Sequence, residues 1–111
     1  MPFDLDPKYI ETTEAKVLRD AAAYIEEHGW CQNRLGNSAP YDVHGPVCVG
    51  GAFMRVLDTD YLPLALCHPA ARAFEKYVDR SYVGFNDTPG RTKEDVIAAL
   101  NGAADMSEKT P

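Results

Sequence analysis

The chain has no run of about eighteen apolar residues, the length a helix needs to cross a bilayer. Its richest apolar stretch, Tyr61 to Cys67, is short and is broken by Pro63. The opening Met-Pro-Phe-Asp-Leu-Asp has neither the basic start nor the apolar centre of a secretory signal. Bases are scarce: 11 Lys and Arg stand against 17 Asp and Glu, a net charge of −6. Nucleic acids and anionic membrane surfaces both recruit proteins through Lys and Arg, so neither is an expected partner. The acids fall in scattered pairs such as Glu26-Glu27, which is too broken a pattern to imitate DNA. There are three cysteines, Cys31, Cys48 and Cys67, with no Cys-x-x-Cys motif. An odd count of this kind argues against a disulfide scaffold and for a reducing cytoplasm. A phosphate-binding loop is also missing, because Gly50-Gly51 has neither a preceding strand nor the lysine such a loop needs. No repeat and no low-complexity segment is present.

What remains describes a globular protein. Apolar residues make up 45% of the 111 and charged residues 25%, which is enough for a packed core and excludes wholesale disorder. A chain of this size makes one domain and buries roughly two-thirds of its unfolded surface. Residues 1–11 read as an extended arm, with Phe3, Leu5, Tyr9 and Ile10 available to tie it down, and residues 106–111 read as a disordered tail.

Helical periodicity dominates between these ends. Val17, Leu18, Ala21, Ala22 and Ile25 form one apolar face of a helix from Thr13 to His28. Thr12 or Thr13 caps it, and Gly29 is its left-handed stop. A second helix is expected from Pro46 to Leu57, despite Gly50 and Gly51 in its interior, followed by a short apolar turn ending at Cys67. A third starts at Pro69 and runs to Asp79. Tyr82 to Gly90 reads as a connection closed by the turn Thr88-Pro89-Gly90. The last helix starts at Thr92, which makes a short-armed capping box with Asp95, and it buries Val96, Ile97, Leu100, Ala103 and Ala104. The expected fold class is therefore all-α: a small orthogonal bundle of about four helices. A long irregular loop, Trp30 to Pro46, follows the first helix, with room in it for a short β-hairpin.

Two constellations carry possible chemistry. His28-x2-Cys31 and His44-x3-Cys48, twelve residues apart, match zinc-finger intervals with the ligand types shuffled. Zinc is thus the one cofactor with a stated donor set. The structural alternative is a His28 that meets a helix C-terminus and a Cys48 that fills a core. Secondly, Cys48 falls in the first turn of the expected second helix, where the helix dipole lowers a thiol pKa. His44 could then act as its base, with Asn86 or Asp87 orienting that base. Trp30 reads as a core plug, and Gln32 beside it needs a backbone partner if buried. Phe85-Asn86-Asp87 reads as a turn bonded to its own backbone, and Arg91 as a cover for apolar surface or the partner of an acid. Trp30, Gln32, Asn86, Asp87 and Arg91 are the candidate binding residues.

The motifs Gly29-Trp30-Cys31-Gln32, Val47-Cys48-Val49-Gly50-Gly51-Ala52, Phe85-Asn86-Asp87 and Arg91-Thr92 with Val96 resemble, in order and spacing, a family of short uncharacterised proteins. The family occurs in actinobacteria and in the tailed phages that infect them, and the resemblance spans about Leu18 to Leu100. It implies a setting and no activity. A cytoplasmic accessory protein, binding a host protein if phage-encoded, is the expected role, and no cofactor is expected with it.

Overall fold

The computed structural model describes residues 14–33 and 45–109. The N-terminal arm, the Thr12 and Thr13 caps, most of the loop with its expected hairpin, His44, and residues 110–111 lie outside them. Six helices are described: α1 (Glu14–His28), α2 (Val49–Val56), α3 (Leu62–Leu66), α4 (Pro69–Val78), α5 (Tyr82–Asn86) and α6 (Lys93–Lys109). The protein is mainly helical, and no strand occurs among the described residues.

α1 is the central element. Val17, Leu18, Ala21 and Ile25 are buried on its inner face, which packs chiefly against α6 and then against α2 and α4. Gly29 ends it at φ 101°, donating its N–H to Ile25 O at 2.8 Å. That left-handed stop was legible from the glycine alone. The partners on α6 are Val96, Leu100, Ala103 and Ala104, all buried. The capping box at its start is reciprocal: Asp95 N donates to Thr92 Oγ1 and Thr92 N to Asp95 Oδ2, each at 3.1 Å.

Three expected boundaries are corrected. α2 starts at Val49, three residues past Pro46, because Cys48 itself caps the helix. The stretch from Tyr82 contains a helix, α5, where a plain connection was expected. α6 runs on through Met106 to Lys109 instead of ending near Ala104. Gly102, the residue that obscured this end, gives close packing: the Tyr77 hydroxyl of α4 stands where a Cβ on it would lie.

Edge-to-face aromatic pairs tie the short helices together. Phe74 of α4 meets Phe53 of α2 at 6.4 Å and Phe85 of α5 at 5.6 Å between ring centroids. α4 is capped by His68, whose Nδ1 accepts from Ala70 N at 3.0 Å. This bond requires an unprotonated Nδ1. Burial holds the His68 pKa below its ordinary value, against a smaller opposing effect of Glu14.

The folded protein therefore binds fewer protons than the unfolded chain through the histidine range, and stability falls as pH drops through about 6.5. His68→Asn keeps a capping oxygen without the titration. Urea midpoints measured from about pH 7 down to pH 5 should fall less steeply in this variant than in the parent.

Candidate functional site

Trp30 to Asn33 and Val47 to Val49 come together beside α5. Val47 N donates to Gly29 O at 3.2 Å and Cys31 N to Val47 O at 3.1 Å, which makes a single parallel bridge between Trp30 and Val47. A parallel ladder would continue with Val49 N donating to Cys31 O. Here the side-chain amide of Asn86 occupies that rung. Val49 N donates to Asn86 Oδ1 at 3.2 Å, and Asn86 Nδ2 donates to Cys31 O at 3.1 Å. The amide's other lone pair accepts from Trp30 Nε1 at 2.7 Å, and its other hydrogen goes to Asp87 Oδ1 at 2.9 Å. A carboxamide offers two donors and two acceptor sites, so all four are used. Asn86 is 1% exposed and is the one buried polar side chain among the described residues.

A second ring of bonds surrounds this amide. Gln32 Nε2 donates to Asn86 O at 3.1 Å and to Thr88 O at 3.0 Å. Asp87 Oδ1 also accepts from Asn33 N at 2.8 Å, where Asn33 stands at φ 64°. Arg91 Nε donates to Phe85 O at 2.8 Å, and its guanidinium lies 3.7 Å from the Phe85 ring centroid. The last carbonyls of a helix have no partners within it. Gln32 and Arg91 supply those partners to α5, which at five residues is too short to stand alone. The turn reading of Phe85-Asn86-Asp87 is thereby corrected: three of the four Asn86 side-chain bonds reach residues 37 to 56 positions away, and only the one to Asp87 is local.

Cys48 is the N-cap of α2, its sulfur accepting from Gly51 N at 3.4 Å. The N–H groups of Gly51 and Gly50 pull its pKa down as the dipole picture anticipates. Burial outweighs them, and the thiol pKa lies above its ordinary value, with smaller contributions in the same direction from Cys31 and Asp87. The Cys48 sulfur is thus a buried neutral cap, a poor nucleophile near neutral pH. Asn86 has no bonding capacity left to orient a base, and His44 lies outside the described residues. Of the proposed zinc ligands, Cys31 and Cys48 each follow a residue of the Trp30–Val47 bridge, near enough that Cys31 acts electrostatically on Cys48. His28 ends α1 and stacks on Tyr24 at 4.1 Å between centroids. No group of three or more His, Cys, Asp or Glu suited to a metal occurs among the described residues.

Sequence reasoning missed a surface feature. A groove of about 500 Å³ runs between α4 and α6, with Glu14 of α1 at one end. Ala73 and Ala103 are among its apolar lining, Tyr77 and Met106 stand exposed in it at 43% and 56%, and Arg72 and Lys76 also line it. The signal was the spacing Pro69, Arg72, Ala73, Lys76, Tyr77, which is one helical face of mixed character.

These features define a small helical protein in which one buried carboxamide joins the end of the first helix and the start of the second to a short helix. The chain belongs to the family of unknown function DUF6197, which matches residues 10–106. No curated protein and no solved structure matches it.

Two outcomes test the lock. Asn86→Ala strands Trp30 Nε1–H, Val49 N–H and Cys31 C=O at once. With about 1–3 kcal/mol for each stranded buried group, the expected loss of stability is about 3 kcal/mol or more. Urea unfolding followed by Trp30 fluorescence measures it, and a loss below about 1 kcal/mol would show that the amide is replaceable by water. Iodoacetamide at neutral pH should label exposed Cys67 first. Cys48 should lag by at least about tenfold when labelling is followed by peptide mass spectrometry.

Proposed function

We propose that this protein is a non-catalytic binding module, an accessory protein that works by docking on another protein. The groove between α4 and α6 carries the reading: it sets exposed Tyr77 and Met106 in a cleft lined by small residues. Tyrosine and methionine suit protein contacts because each buries much apolar area. Gly102 lets the Tyr77 ring lie close over α6, where a larger residue would push the ring aside. The raised pKa and burial of Cys48 weigh against the thiol-enzyme alternative. Three free thiols are consistent with a reducing compartment, and we place the protein in the cytoplasm. The resemblance to short proteins of actinobacteria and their tailed phages makes a host protein the natural partner if the gene is phage-borne.

Site-specific photo-crosslinking in the producing cell tests this. A benzophenone amino acid at position 77 should trap one protein, and the same probe at exposed Glu94 should not. The trapped protein, once purified, should bind the parent chain with micromolar or better affinity and bind Tyr77→Ala at least about tenfold more weakly. Equal trapping at both positions would remove the groove from the reading.

A further inference from the structure

The groove has the shape of a missing helix. Its α4 wall presents residues 69, 72, 73, 76 and 77, a single helical face, and its α6 wall presents 103, 106 and 107, another. Ala73 and Ala103 line it as small residues, which lets a third backbone approach at ordinary interhelical distance. An amphipathic helix laid between two such faces is a recurring mode of peptide recognition.

The charges specify that helix further. The protein carries a net charge of −6, yet Arg72 and Lys76 line this groove one helical turn apart. Neither makes an ion pair among the described residues, whereas Arg19 is held by Asp105 and Glu108, and Arg55 by Asp60. Glu14 at the end of the groove offsets one of the two charges and leaves the α4 side basic.

We infer that the groove takes an amphipathic helix of a partner protein, with an apolar stripe against Ala73, Tyr77 and Met106 and carboxylates on its flank facing Arg72 and Lys76. This assignment rests on the binding reading above and adds the chemistry of the occupant. An acidic flank meets two bases that make no ion pair among the described residues and only one nearby carboxylate, while a basic flank would leave like charges juxtaposed, so the sign of the flank decides the choice.

The test uses the full-length chain and two fluorescein-labelled sixteen-residue peptides. Both carry leucines at i, i+3, i+4 and i+7 spacing; one has glutamates on its polar face and the other lysines. The glutamate peptide should bind, and its affinity should drop by about tenfold in Arg72→Glu/Lys76→Glu and fall with added salt. Arg72→Gln/Lys76→Gln, a milder exposed pair, should show a smaller drop with an unchanged circular dichroism spectrum and Tm.

Equal affinity for the two peptides, or indifference to both double variants, overturns the acidic assignment and leaves the binding reading standing. If neither peptide binds, the assignment also fails, because another occupant, a second copy or the chain's own N-terminal residues, holds the groove. The binding reading is then decided by the Tyr77 crosslink alone. A dimer in sedimentation that dissociates on Tyr77→Ala would identify the second copy.

Discussion

The carboxamide of Asn86 is the piece on which this fold depends. It stands where a peptide group would stand in a parallel ladder, bonded on one side to Val49 N and on the other to Cys31 O. A buried backbone group without a partner costs about 1–3 kcal/mol, so the strand-like segments could not part at this point without some replacement. The amide is that replacement. Because it also takes the Trp30 indole, it joins the end of α1, the start of α2 and the body of α5 in one bonded unit. α5 returns the favour: its own C-terminal carbonyls are satisfied by Gln32 and Arg91. Each short piece holds because the others are present, and the low local dielectric strengthens such a closed network as a whole.

The helices that were legible in the sequence are those with local causes. α1 has an apolar stripe and a glycine stop, α4 opens on Pro69, and α6 has the Thr92–Asp95 box; each signal acts within a few residues. α5 has only a serine cap and five residues, below the length at which local bonding offsets nucleation. Arg91 helps from six residues on, but the bonds from Trp30 and Gln32 come from about fifty residues upstream, and no window along the chain contains that information. The same holds for Asn86. Asn next to Asp before a Thr-Pro-Gly turn satisfies every local rule for a turn. Gln32 was the better clue, since a half-buried amide near Trp30 had to find carbonyls, and it found those of Asn86 and Thr88. The candidate site residues Trp30, Gln32, Asn86, Asp87 and Arg91 do converge, as a network that bonds to itself.

Cys48 shows how one helix position can be read in opposite directions. The N–H groups at the start of α2 do act on the sulfur and do lower its pKa, as they would for a reactive thiolate. Yet a sulfur 6% exposed loses more from desolvation of its charged form than two hydrogen bonds return. Sequence shows the first effect, because helix starts are local. It cannot show the second, because burial comes from the packing of distant elements: beside this turn the Tyr82 ring lies so close to Gly50 that a Cβ there would sit 2.8 Å from Cε2. The paired glycines after the cysteine thus have a packing cause as well as a capping one.

Locks and surfaces leave different marks on a sequence. A four-bond amide hub admits one residue type, and the groups that face it must offer donors and acceptors at fixed positions, so motifs accumulate there. Every motif behind the family resemblance touches this network or the helices it anchors: Trp30, Gln32, Val49, Asn86, Asp87 and Arg91 all belong to it. A groove asks only for small residues on its floor, a wide ring at its edge and an excess of one charge, and many sequences meet those terms. Arg72, Lys76 and Tyr77 accordingly lie in a stretch without a motif. For a chain built this way, the residues easiest to recognise explain why it folds. Those that line the groove are found only once α4 and α6 are set side by side.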